Sequence, residues 1–349
     1  MNRRTFLHTA SAASILGPQL FGENAWRTFE VTTRVEVLKP SGATRIWVPA
    51  ALPYPTLYQK TLANTFHAEG GTAKLFETKP DSLGIITAEF PAGVRPVLTA
   101  TSRVTTRDVP GLPRDSQGIP ADLKYWLRPT KLLPTDGIVR DTALEITHGA
   151  KDDLGKARAI YEWIVDNTRR DPKTRGCGRG DIRYMLESRD LGGKCADLNA
   201  LYVGLARAAG LPARDVYGIR IAASRLGYKS LGTSSETITK AQHCRAEVFL
   251  SRYGWVAVDP ADVRKVMLEE PPANRPADDP LVKAARDRLF GSWEMNWMAY
   301  NYAHDVALPG SSGPPVAFLM YPQAETSEGR IDCLDPDGFR YEITSREAA

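Results

Sequence analysis

Cys195, His243 and Asp259 have the residue types, and stand in the order, of a nucleophile, a base and an orienting acid. Cys195 follows Gly192-Gly193-Lys194 and opens a run that reads as helix. A thiol in a first helical turn feels the positive end of the helix dipole, which favours thiolate, and Lys194 adds to that bias. The glycine pair lets the backbone turn and come close to a substrate. An imidazole held by a carboxylate keeps the tautomer that takes a proton from a thiol. The chemistry expected is acyl transfer. The Cys195 thiolate attacks an amide carbonyl, protonated His243 gives its proton to the departing amine, and a thioester remains. Asp259 stabilises the imidazolium, and the amide N–H of Cys195 is one oxyanion donor. Water as second substrate gives a hydrolase; an amine gives a crosslink. This chemistry needs no cofactor.

Two kinds of element must hold these residues. From Cys195 to Ala209 the apolar Leu198, Leu201, Tyr202 and Leu205 recur on one helical face, and Gly210 with Pro212 ends the helix. His243–Leu250 and Tyr253–Pro260 alternate like half-buried strands joined by a turn over Ser251–Gly254. An antiparallel hairpin of this kind brings His243, near one start, beside Asp259, near the other end.

Four segments in this order resemble the transglutaminase-like superfamily of cysteine enzymes. They are Gly193-Lys194-Cys195-Ala196-Asp197, Ala206 to Arg214, His243 with Ala246-Glu247-Val248, and Tyr253 to Pro260, within a stretch from about Thr142 to Asp262. The resemblance implies an α+β fold with a papain-like, transglutaminase-like catalytic core, in which the cysteine helix packs on an antiparallel sheet. It also implies Cys195 as nucleophile, His243 as base and Asp259 as orienting acid. Members of the family often carry an aromatic residue soon after the histidine. This chain has Cys244-Arg245 there, which alters the pocket wall. Bacterial members more often look like hydrolases, so cleavage of a peptide or protein amide is the expected reaction. A protein-crosslinking enzyme and a non-catalytic protein holding a peptide, a glycan or an envelope assembly are the alternatives.

Other residues invite chemical readings with plainer rivals. Cys177, Cys195, Cys244 and His243 are metal-ligand types, but there is no Cys-x-x-Cys or His-x-x-x-His spacing. His243 and Cys244, as strand neighbours, point to opposite faces and cannot share an ion, so no metal is expected. Cys177, in the glycine-rich loop Arg175 to Asp181, is expected as a plain loop thiol, with lining the cleft or forming a regulatory disulfide as the rivals. If Cys195 stays free, three cysteines remain, room for one disulfide at most. Trp293, Trp297 and Tyr300 recur at helical spacing and are expected to pack on the core, with an aromatic binding platform as the rival. His304-Asp305 is a weaker base pair than His243 with Asp259. Trp163 is expected in the core rather than as an oxyanion donor.

Asn2-Arg3-Arg4-Thr5-Phe6-Leu7 has the twin-arginine pattern, and the run Leu7–Phe21 behind it is too short and polar to span a membrane. Cleavage is expected near Ala25, with Glu23 fitting the small-residue rule poorly. That pathway carries folded proteins, so the expected place is the periplasm or beyond. The chain has 349 residues, 42% of them apolar, enough for more than one core. A net charge of +4 without a basic run argues against nucleic acid as the main partner. Composition and punctuation divide the chain into a leader (1–25), a β-sandwich-like domain (26–108) and a proline- and glycine-rich linker (109–137). A catalytic domain (138–263) and a C-terminal extension of a helix and two terminal strands, Val316–Tyr321 and Phe339–Ile343 (264–349), follow.

Overall fold

The structure, a computed structural model, describes residues 25–112, 120 and 122–348, so the twin-arginine pattern lies outside the described residues. The first unit is a sandwich of two antiparallel sheets. Its strands are β1 (Arg27–Val37), β2 (Thr44–Pro49), β3 (Gln59–Glu69), β4 (Thr72–Thr78), β5 (Leu83–Phe90) and β6 (Val97–Thr106). The β3–β4 hairpin has one largely exposed face and few bulky apolar residues, which is why its sequence signals strand so weakly.

The catalytic unit opens with α1 (Gly137–Thr147), α2 (Asp153–Asn167), α3 (Ile182–Ser188) and α4 (Cys195–Ala208). An antiparallel sheet follows, made of β7 (Ala213–Arg220), β8 (Arg245–Leu250), β9 (Gly254–Val258) and, after α5 (Pro260–Glu269) and α6 (Pro280–Arg288), β10 (Trp297–Asn301). The order is β9-β8-β7-β10. Helix α4 is buried along its length against this sheet, α1 and α2, in a core built on Leu198, Leu201, Tyr202, Leu205, Val248 and Val258. Fully burying an aliphatic side chain contributes about 1.5–3 kcal/mol. So many on one helix outweigh the weak local preference of a 14-residue segment and fix where its first turn stands.

The aromatic segment departs from expectation. Trp297–Asn301 is a strand, not a helix. Trp297 and Ala299 face one core cluster, while Met298 and Tyr300 face another. A strand buried on both faces is apolar throughout, so its sequence also fits helical spacing. Core packing of these aromatics is observed, and Trp163 packs against the main core.

The C-terminal residues also differ from the expected extension. Strands β11 (Gln323–Thr326) and β12 (Gly329–Ile331) extend one sandwich sheet, giving β12-β11-β2-β5-β4. Strand β13 (Phe339–Ala348) completes the other, β13-β1-β6-β3, with Val37 opposite Phe339 and Thr28 opposite Ala348. Val316–Tyr321, expected as a strand, makes a single bridge, Val306 to Val316. Residues 323–348 thus belong to the first unit, a pairing that no local pattern specifies. No helix among the described residues is long and apolar enough to cross a membrane.

Candidate active site

The start of α4 is held by Asp197. Its carboxylate accepts from the amide of Lys194 (3.0 Å) and from the amides of Arg179 and Gly180 (each 2.9 Å). One buried side chain therefore caps the helix and ties the 177–180 loop against it. A Cβ at Gly178 would stand 1.9 Å from this carboxylate and one at Gly193 2.5 Å, so both positions need glycine for close approach. The loop returns a bond of its own, the Cys177 carbonyl accepting from the Ala196 amide at 2.9 Å.

His243 and Asp259 sit at the open end of the β8–β9 hairpin, just past its last pair, Ala246 with Val258. Nε2 of His243 lies 2.7 Å from Oδ2 of Asp259, both buried. Asp259 is also the N-cap of α5, its Oδ1 accepting from the Asp262 amide at 3.1 Å, so the helix fixes its rotamer. Asn199, one turn after Cys195 on α4, donates to that oxygen at 3.2 Å and to the Cys244 carbonyl at 2.8 Å. The cysteine helix is thereby bonded directly to the acid. The backbone of His243 is fixed at both ends, its amide donating to the Gly218 carbonyl (3.0 Å) and its carbonyl accepting from the Trp297 indole (2.8 Å). With Nε2 engaged, Nδ1 is the ring nitrogen left for the thiol.

A second carboxylate, unrecognised from the sequence, completes the surroundings. Asp262 Oδ2 lies 3.4 Å from the same Nε2 and is gripped by Arg220 at 2.6 and 2.8 Å. Arg245 approaches Asp259 at 3.6 Å. Burial works against ionisation of Asp262, yet Arg220 and His243 hold its carboxyl well below the usual range. Burial and the neighbouring Asp262 push Asp259 up, opposed by His243 and Arg245. For His243, burial and Arg220 push down, but Asp262 and Asp259 outweigh them and raise it to about 9. The cluster closes electrically, three acids (Cys195, Asp259, Asp262) against three bases (His243, Arg220, Arg245).

Cys195 itself is buried, and its thiol is held well below the ordinary value. The largest causes are hydrogen bonds from the Cys177 and Cys244 thiols, followed, against burial, by the bond and charge of His243. The Cys177 thiol has two acceptors in reach, this sulfur and the Gln242 carbonyl at 3.3 Å, and serves one at a time. All four cysteines are free.

The contact with Cys244 corrects the expectation that His243 and Cys244 face opposite ways. Strand β8 begins only at Arg245, so both residues lie outside the regular ladder and both bear on Cys195. His304 pairs not with Asp305 but with buried Asp215, at 2.9 Å, while Asp305 accepts from the Lys131 amide. His243, Asp259 and Asp262 also have metal-ligand chemistry, with donor atoms within 4.8 Å of one another. The positive charge such a set demands is here supplied by Arg220, Arg245 and the imidazolium.

Cys195 and His243 open on a cleft of about 830 Å³, walled by residues 232–235 and 237–242 on one side and by Tyr321, Cys333, Leu334 and Phe339–Tyr341 on another. A model of the transglutaminase-like superfamily matches residues 140–260, the stretch holding all three predicted site residues. The chain is 34% identical to an uncharacterized protein of Haemophilus influenzae, over 91% of each chain. It also shares its fold with a candidate cysteine protease from Cytophaga hutchinsonii, with a TM-score of 0.50 and 14% identity over 92% of this chain and 98% of that one. The chain belongs to the transglutaminase-like superfamily.

Proposed function

We propose that the protein is an exported cysteine enzyme that cleaves amide bonds, with Cys195 as nucleophile, His243 as acid and base, and Asp259 as orienting acid. The observation that carries this reading is the buried His243–Asp259 pair, 2.7 Å apart, set with the first-turn Cys195 on one open cleft, and the thiol held low and the imidazole held high agree with it. Near neutral pH these two form a thiolate and an imidazolium. The thiolate adds to the amide carbonyl, the first-turn amide of Cys195 bonds the oxyanion, and Nδ1–H of His243 protonates the departing amine. His243, now neutral, takes a proton from water as its oxygen attacks the thioester; the acid leaves and the thiolate is restored.

Hydrolysis rather than crosslinking is favoured by the charge of the cleft, whose walls repel a protonated lysine side chain as second substrate. Export to the periplasm or beyond rests on the twin-arginine pattern.

The test has two parts. Iodoacetamide at about pH 6 should label Cys195 ahead of the other thiols, and His243→Ala should suppress that labelling by about tenfold or more. Labelling indifferent to His243 overturns the reading. Mass spectrometry of an envelope peptide library, with and without added amines, should then show cleaved products in both; amine-linked products alone would make the enzyme a crosslinker.

A further inference from the structure

The cleft around Cys195 is lined by charge of one sign. Arg170, Arg175, Lys194, Lys240, Lys265 and Arg340 face it along with Arg220, and among the described residues no aspartate or glutamate does. Their counter-charges lie behind the walls and fall short in number. Arg175 is paired with Asp332 at 2.6 Å. Arg170 and Lys265 share the single carboxylate of Glu269. Lys194 donates its ammonium only to the Thr174 carbonyl, at 2.7 Å. Lys240 and Arg340 are exposed and form no ion pair among the described residues. Six cations against two carboxylates leave an excess of four positive charges, and three of the cations, Lys194, Lys240 and Arg340, have no carboxylate partner among the described residues. Burial and the neighbouring guanidinium groups of Arg220 and Arg170 push the Lys265 ammonium below its ordinary value, a sign that positive charge is crowded there. The wall that carries Lys240 adds the hydroxyls of Thr233, Ser234, Thr237 and Thr239, donors suited to carboxylate oxygens.

We propose that the acyl donor is an acidic peptide, one carrying carboxylates beside the amide that Cys195 attacks. The inference rests on the reading of the cleft as an amide-cleaving site and adds the charge of its substrate. A cleft of one sign with low-dielectric walls concentrates counter-charged ligands by about tenfold or more, and salt screens the effect.

Two alkylating agents of nearly one shape, anionic iodoacetate and neutral iodoacetamide, read that concentration directly at Cys195. Their rates at the Cys195 peptide, taken as a ratio and compared with the same ratio for glutathione, should favour iodoacetate by about tenfold at low salt. The ratio should fall toward the glutathione value in about 0.5 M salt and in the double variant Lys240→Glu with Arg340→Glu. The salt arm needs no variant and so stands even if the double variant folds poorly. A ratio equal to that of glutathione, with rapid iodoacetamide labelling, overturns the acidic-peptide proposal and leaves the enzyme reading intact. Failure of both reagents at Cys195 overturns the two together. Matched peptides differing only by Glu for Gln beside the cleaved bond should differ in kcat/KM in the same direction.

Discussion

On α5, Asp262 stands three residues after Asp259, and both carboxylates face Nε2 of His243, at 3.4 and 2.7 Å. The i, i+3 spacing puts them on one face of the helix, so one element aims two negative charges at one ring. Arg220 takes up Asp262, which leaves Asp259 to make the shorter bond. Asp262 is a positioning and tuning residue, acting through the imidazole.

The pH profile of the native protein follows from the two shifts. The Cys195 thiol is lowered, so the thiolate is present below the usual thiol range, and the His243 imidazolium is lost only at about 9. Turnover should rise on the acid side of neutrality and fall through a limb near 9. A basic limb near the ordinary imidazole value would contradict the geometry.

Asp262→Asn removes one of the two charges that raise His243, so that limb should move to lower pH. The activity at neutral pH should drop by about tenfold. Arg220 would lose its buried partner, at about 3–5 kcal/mol, so the melting temperature should fall as well. The limb separates the tuning role from simple loss of stability; an unmoved limb with a lowered melting temperature would make Asp262 structural only.

Cys177→Ala deletes the largest cause of the lowered Cys195 thiol. The acid limb of iodoacetamide labelling should shift toward higher pH, while the basic limb of turnover stays near 9. Cys177→Ser keeps a donor at the position and should restore the limb in part.

Asn199→Ala cuts the bonds from the cysteine helix to Asp259 and to the Cys244 carbonyl. The buried acceptors left behind should cost about 1–3 kcal/mol in urea unfolding. Labelling of Cys195 should slow, because the helix and the acid are no longer tied. A variant as stable and reactive as the native protein would show that packing alone keeps them in register.

The sequence announces the site where chemistry and local structure coincide. Cys195 is marked by a helix start, and His243 and Asp259 by a hairpin whose turn fixes their proximity. What it hides is contact made over distance. Asp262 left a legible trace, its spacing from Asp259 on a helix opened by Pro260, but nothing local indicates that Arg220, at the far end of another strand, neutralises it. Cys177 reads first as a plain loop thiol, and its rival reading, a place in the cleft, is the one observed, because the bond that draws its loop to α4 comes from Asp197, outside that loop. Trp297 and Tyr300 pack on the core as expected but sit on a strand, where their spacing suggests a helix. A strand buried on both faces lacks the alternation that sets strand apart from helix. The outer strands β11 to β13 were least legible, since their partners lie at the other end of the chain.

That last pairing divides the cleft in time. Tyr321 and the 333–341 wall are translated long after Cys195, and Phe339 to Tyr341 reach their place only as β13 zips onto β1, among the first strands made. The thiol, the imidazole and the two carboxylates all precede that wall in the chain, so without β13 one side of the groove stands open to solvent. Whatever selectivity that wall confers arrives last, with closure of a sheet on the far side of the molecule's sequence.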